Sequence, residues 1–271
     1  FFMVGVLSGY WIFGLFINPD DLKSTDWLEV YYWLASLCAI NFLLLLSTPF
    51  KHAVRTEKQS SALDEFVAMV KLVKLPMVYI FVISAFLYVL IEQGIGTWLP
   101  TFNSEVLGLP SNVSVQMTSI FAGALALGRL LAGQVLRYIN WYSFLNICLV
   151  SMALIILILL PLTSSSSTEN VTSFLDAPLV AYLLPLIGLM MAPIYPVLNS
   201  VMLSSLERTK QASMTGLIVV FSALGGTTGS IITGFSFQAF GGQKAFYLSL
   251  IPMALILVSL YFFKIATKKT A

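Results

Sequence analysis

The chain has 271 residues, of which 58% are hydrophobic and only 10% are charged. A soluble domain carries about 25% charged residues, so this composition excludes an ordinary soluble fold and indicates an integral membrane protein. The net charge of +2 says nothing about nucleic acid, because in a membrane protein the placement of the charges carries the information. The two cysteines lie inside apolar runs and imply no disulfide framework.

Eight apolar segments are long enough, or nearly so, to cross a hydrocarbon core of about 30 Å at roughly 20 residues each. They lie at residues 1–17, 28–50, 77–102, 115–139, 141–162, 178–206, 212–240 and 245–266. The first is shorter than the others, and the chain begins at Phe1 without a charged flank. We therefore interpret the start as that of a truncated chain rather than a signal peptide. The pattern predicts an all-α membrane protein with about eight transmembrane helices.

The basic residues predict the orientation of these spans. Twelve of the fourteen Lys and Arg residues fall on one side, and only Lys23 and Lys244 fall on the other. Loops rich in Lys and Arg remain in the cytoplasm, so we expect a multi-pass protein of the cell membrane with a cytoplasmic carboxyl terminus. Two Asn-X-Ser/Thr sequences, at Asn112 and Asn170, fall in predicted outer loops and would matter only in a secretory pathway.

Residues 60–75 follow a basic loop and show an amphipathic pattern. This pattern predicts a helix that lies along the cytoplasmic membrane surface. We interpret residues 51–76 as the connection between two helical bundles, and the alternative is an interfacial helix without a special role. The apolar positions at helical spacing are Leu63, Phe66, Val67, Val70 and Val73.

Glu92 is the carboxylate that cannot be assigned to a loop, because it lies inside the apolar segment 77–102. A charge at that depth is expensive and is by default a hypothesis of function. Glu92 either accepts hydrogen bonds from a solute or takes up a proton, or it ties one helix to another. Gly94, Gly96 and Pro100 follow it and predict a weakened helix, and broken helices occur where transporters bind their cargo.

Four further side chains are candidates for solute binding: Gln93, Trp98, Tyr195 and Asn199. Neutral amides bridge helices as readily as they bind a solute, but Asn199 follows two prolines that leave backbone carbonyls free. An aromatic ring suits the apolar face of a sugar, and it also anchors a helix at the membrane boundary. Trp98 fits either role, whereas Tyr195 lies deeper and fits solute binding better.

A weak internal repeat places Gly-x4-Gly at a similar depth in two spans of opposite direction, at residues 128–133 and 229–234. The spans that precede them contain Gly or Pro interruptions. Three spans followed by three of inverted topology is the organisation of a transporter half-domain, in which paired interrupted spans mark the binding site. Gly225, Gly226 and Gly229 are expected to allow close approach between helices.

The residues Gly128, Arg129, Gly133 and Arg137 resemble a degenerate copy of the motif between the second and third helices of each half of major facilitator superfamily transporters. The acidic residue of that motif is absent, so the resemblance does not extend to the cytoplasmic contact attributed to it. Arg129 either makes a gating contact or extends to the membrane boundary.

Within that superfamily, residues 92–102 resemble the seventh helix of the fucose-permease-like sugar:proton symporters. Tyr195 with the proline after it, and the glycine-rich stretch 224–234, are similar to the tenth and eleventh helices of the group. The resemblance implies that residues 1–50 are helices five and six of an amino-terminal bundle. Residues 51–76 are then the loop between bundles, and residues 77–271 the carboxyl-terminal six-helix bundle. The first four helices of the same chain would be missing.

The resemblance also implies secondary active transport, with proton-coupled uptake of a sugar or similar small polar solute by alternating access. The alternatives are a proton-coupled exporter of drugs or metabolites, and a non-transporting solute sensor with the same fold. The expected partners are a small solute, protons and the lipid bilayer, and no nucleic acid. The single histidine, His52, has no ligand partners at metal spacing, and no catalytic motif or phosphate-binding loop occurs. We therefore expect no enzyme activity, cofactor or metal.

Overall fold

A computed structural model of the protein describes residues 2–17, 24–48, 62–163 and 171–268. Within these ranges the chain is helical and contains no strand. Seven helical segments are long and apolar enough to cross a membrane, and a shorter apolar helix, Val4–Phe16, precedes them. The predicted all-α membrane fold is confirmed.

Twelve α-helices lie in the described ranges. They are α1 (Phe2–Phe16), α2 (Glu29–Ser47), α3 (Ala62–Leu72), α4 (Pro76–Glu105), α5 (Ser111–Val135), α6 (Trp141–Leu162), α7 (Leu179–Leu183), α8 (Ile187–Met191), α9 (Ile194–Ser204), α10 (Arg208–Phe240), α11 (Gly242–Tyr247) and α12 (Leu250–Lys268). The amphipathic helix predicted at residues 60–75 corresponds to α3. The predicted loop residues 51–61, Lys23 and Asn170 lie outside the described residues.

The helix α10 runs parallel to α4 and packs closely against it. Gly225 lies against the backbone carbonyl of Phe86, and one turn later Gly229 lies against that of Leu90. The absence of side chains at these glycines lets the two backbones approach, which is how membrane helices gain packing contacts.

The helix α5 likewise runs parallel to the span formed by α7, α8 and α9 and packs closely against it. Phe121 on α5 lies against Gly188, and Gly128 lies against the carbonyl of Leu189. The two pairs of parallel helices, α4 with α10 and α5 with α8, are the arrangement that two inverted three-helix units produce.

The predicted interruption of the first glycine-rich span is wrong, because α4 continues through Gly94, Gly96 and Pro100. Packing explains the difference. A Cβ added at Gly94 would meet Thr233 Oγ1 at 2.6 Å, and one added at Gly96 would meet Phe121 Cε1 at 3.1 Å. The two glycines therefore let α10 and α5 pack closely on α4, which remains one uninterrupted helix. Pro100 stands near the end of α4, where few further backbone hydrogen bonds depend on it.

The second irregular span, Leu179–Ser204, is broken as its prolines predict. Pro185 lies in a 3-10 turn between α7 and α8, and Pro193 caps the start of α9. Proline lacks an amide donor and clashes with the preceding turn, so an α-helix cannot pass through it without compensation. Pro196 is tolerated because it falls in the first turn of α9.

The first two helices differ in how they pack. Trp11 on α1 donates its indole N–H to Ser119 Oγ on α5 at 3.1 Å, whereas only 6% of the apolar window of α2 is buried.

The prediction that Asn112 lies in an outer loop is wrong, because this residue lies in the first turn of α5. The preceding Pro110 occupies the N-cap position, where its restricted φ suits the entry into a helix.

The alternating directions of the spans bring the start of α4, the end of α5, the start of α10 and the end of α12 to one end of the bundle. We call this the basic end. Its orientation toward the cytoplasm stays a prediction from the charge pattern. The described basic residues at this end are Lys71, Lys74, Arg137, Arg208, Lys210 and Lys264.

Candidate functional site

An ion pair between two membrane-spanning helices forms the centre of the candidate site. Glu92 lies near the middle of α4, and its Oε1 accepts a hydrogen bond from Arg129 Nη2 on α5 at 3.4 Å. The side chains are 18% and 33% exposed, respectively. A charge-assisted N–H···O bond is typically about 2.7–2.9 Å long, so this contact is loose. The Arg129 guanidinium is thus paired with a carboxylate of the neighbouring span.

Two tyrosines extend the site from α4 to α9 and α10. The buried ring of Tyr88 stacks on that of Tyr195, with centroids 5.7 Å apart and planes 17° apart. The Tyr195 hydroxyl is 2.7 Å from Ser222 Oγ on α10. Tyr88 lies one helical turn before Glu92 and therefore on the same face of α4. The four helices therefore converge on one polar cluster, which consists of Tyr88, Glu92, Arg129, Tyr195 and Ser222.

Sequence reasoning missed Tyr88. The available signal is its spacing, because residues four apart on a helix share a face. A tyrosine four positions before an intramembrane carboxylate is therefore a candidate partner of that carboxylate.

Several polar atoms of these helices are buried without a hydrogen-bond partner in the described part of the chain. They include Tyr88 Oη, Arg129 Nε and Asn199 Oδ1. Most buried polar atoms in proteins are paired with protein or water, and an unsatisfied one is costly. These atoms are a hydroxyl, an N–H donor and a carbonyl acceptor. Asn199 lies one turn after Tyr195 on α9.

Gln93 and Trp98 do not join the polar cluster. Gln93 is exposed, and its side chain passes over Gly226 on α10, where an added Cβ would lie 3.2 Å from Gln93 Cγ. The Trp98 indole N–H donates to the backbone carbonyl of Ser230 at 2.9 Å. Its ring packs on Phe237 with a centroid distance of 5.1 Å.

The residues of the glycine and arginine motif occupy different surroundings. Gly128 is buried against Ala192 and the carbonyl of Leu189. Gly133 is exposed, with nothing within 4 Å of an added Cβ, and Arg137 is exposed at the basic end. Among the motif residues, only Arg129 reaches the cluster. No group of three His, Cys, Asp or Glu residues suited to a metal ion occurs within the described ranges.

We expect Trp98→Phe to lower the thermal stability of the protein while leaving the affinity for solute unchanged. The substitution keeps an aromatic ring but removes the hydrogen bond to Ser230, which is worth about 1 kcal/mol. Thermal unfolding in detergent and the KM for transport are the measurements. A rise in KM without a loss of stability would instead place Trp98 in the solute site.

Comparison with known families and proteins adds one finding. The sequence model of the family described as Major Facilitator Superfamily matches residues 1–183, about two thirds of the chain. This stretch contains the whole of α4 and α5, and thus both members of the ion pair. No curated protein matches the chain.

Proposed function

The chain belongs to the major facilitator superfamily and is a secondary transporter, and we propose that it takes up a sugar or a similar small polar solute together with protons. The observation that carries the proposal is the polar cluster around the Glu92–Arg129 pair, built from four membrane-spanning segments. Ionisable residues within spans are expensive to keep there and commonly mark the path of a solute or proton.

The chemistry of the cluster suits a solute with several hydroxyl groups. Each hydroxyl both donates and accepts hydrogen bonds. Glu92 and Asn199 offer acceptor oxygens, Arg129 offers a free N–H, and Tyr88 offers a hydroxyl. The partly buried ring of Tyr195 adds apolar surface for the carbon skeleton of the solute. Such a combination of an apolar wall and a few converging polar groups is typical of small-molecule sites.

The ion pair also suggests how a proton is coupled to the solute. Protonation of Glu92 removes its charge and weakens its attraction to Arg129, which can then donate to the solute. Conversely, a bound solute that occupies Arg129 leaves Glu92 free to take up a proton. The two binding events therefore favour each other, as linkage requires.

We assign the contact with solute to Glu92, Tyr88, Tyr195 and Asn199. Gln93, exposed and adjacent to Glu92, is the group that a solute would meet from the open face of α4. Trp98 is assigned to the packing of α4 on α10 by its hydrogen bond to Ser230. The glycines at residues 128, 225, 226 and 229 are assigned to close helix packing.

The test is a panel of solutes offered to the full-length protein in proteoliposomes, with and without an inward proton gradient. We expect a polyhydroxylated solute to accumulate with the gradient and a protonophore to abolish the accumulation. Empty liposomes and the Glu105→Gln variant, changed at an exposed residue on the same helix, are the controls. Gradient-driven efflux of apolar compounds, without uptake of any polar solute, would contradict the proposal and favour an exporter.

A further inference from the structure

A groove runs along the seam between α4 and α12, beginning at the basic end. Its first part, of about 540 Å³, lies between the first turn of α4, the start of α10 and the last turns of α12. Its second part, of about 420 Å³, continues toward the membrane centre and is lined by α4 and α12. The two parts adjoin each other, because Ile80 and Phe262 line both of them, and we treat them together as one groove.

The groove is polar at one end and apolar along its length. Glu207 and Lys210, at the start of α10, line the end near the membrane boundary. Farther in, the walls are formed by side chains such as Ile83, Leu87 and Val258. Ser259 also lies there, but its hydroxyl is already bonded to Ser84 Oγ at 2.7 Å.

The charges around the polar end favour an anion. Lys210 Nζ is 3.1 Å from Glu207 Oε2, but both side chains are well exposed, 43% and 72% respectively. Exposed pairs of this kind hold their partners weakly, so Lys210 is free to turn to another anion. Lys74 and Arg208 are exposed next to groove residues in the chain. Among the described residues, Lys210 and Glu207 are the charged groups that line the groove, and Lys74 and Arg208 add positive charge beside it along the chain.

The length of the groove matches one leaflet of a bilayer. From Met77 to Leu87 the groove follows ten residues of α4, which is about 15 Å at 1.5 Å per residue. A hydrocarbon core is about 30 Å thick, so the groove spans the depth of one acyl chain. Its side walls face outward, since Val258 is 56% and Phe262 52% exposed.

We infer that this groove binds one anionic phospholipid of the leaflet at the basic end, with its phosphate at Lys210 and an acyl chain between α4 and α12. The length and the apolar walls of the groove suit an amphiphile with a chain one leaflet long. The positive rim selects an anionic headgroup over a zwitterionic one, because cations near a membrane surface attract acidic lipids. This site is separate from the polar cluster and does not depend on which solute is transported.

The inference is tested by native mass spectrometry of the full-length protein, taken from nanodiscs with equal amounts of phosphatidylglycerol and phosphatidylcholine of the same chain length. We expect Lys210→Gln to lower the ratio of the two retained lipids about five-fold, the scale for one Lys near an anionic surface. Glu207→Gln should raise the ratio, since it removes the competing carboxylate. Val258→Trp, which fills the apolar part of the groove, should reduce the retention of both lipids.

The matched control is Lys244→Gln, which removes an exposed cation at the opposite end of the bundle. It should leave the lipid ratio unchanged. Equal ratios for the Lys210 and Lys244 variants, or full lipid retention by Val258→Trp, would overturn the inference. The Glu207 and Lys210 variants shift the ratio in opposite directions, so a general loss of folded protein cannot imitate the expected result.

Discussion

Replacing Glu92 with glutamine is expected to abolish the stimulation of uptake by a proton gradient, lowering gradient-driven uptake about ten-fold or more. A hydrogen bond to a charged group contributes about 1.5–3 kcal/mol, and glutamine neither binds nor releases a proton. Exchange of labelled for unlabelled solute, which needs no net proton movement, should persist. The measurements are initial rates of uptake and of exchange in proteoliposomes over a series of pH values.

The stability of this variant separates a transport role from a structural one. Glutamine leaves Arg129 without its counter-charge, and breaking a fully buried pair costs about 3–5 kcal/mol. Because the side chains of this pair are 18% and 33% exposed, a smaller loss is expected. The double variant Glu92→Gln/Arg129→Gln should regain part of the stability without regaining the coupling. Wild-type kinetics across acidic and neutral pH would contradict the role of Glu92.

Gly229→Ala is expected to lower the thermal stability of the protein strongly. The added Cβ would overlap the backbone carbonyl of Leu90 on α4, and a helix backbone cannot move aside as a flexible side chain can. Overpacking of this kind costs about 1–3 kcal/mol, and sometimes more. The measurement is the fraction of monodisperse protein that survives a temperature series in detergent.

The matched control for Gly229→Ala is Gly133→Ala, at the second glycine of the corresponding motif in the other unit. Nothing lies within 4 Å of a Cβ added there, and alanine favours a helix over glycine by about 1 kcal/mol. This variant should therefore equal or exceed the wild type in stability. Equal losses for both variants would show that close packing of α10 on α4 is not the cause.

The sequence by itself predicted the membrane fold and most span positions. The span predicted at residues 141–162 is α6, Trp141–Leu162. Hydropathy succeeds here because the transfer of each helix into lipid depends on its own residues, and lipid requires the backbone to be satisfied within the span. Glu92 could be singled out from the sequence because a carboxylate within an apolar run is a local feature that does not depend on other helices.

Which residues meet Glu92 was decided by the tertiary structure. Its contact with Arg129 depends on how α4 and α5 are rotated and shifted against each other, and neither helix encodes that register alone. The stacking of Tyr88 on Tyr195 likewise joins helices that are far apart in the chain.

Contacts between distant segments also explain why the two spans that contain Gly and Pro behave differently. Pro185 and Pro193 interrupt one span, whereas α4 passes unbroken through Gly94, Gly96 and Pro100. Composition predicted that both were weak, but it did not include the neighbours on α5 and α10 that pack against the glycines of α4. Local sequence sets how readily a helix breaks, and packing with distant segments decides whether it does.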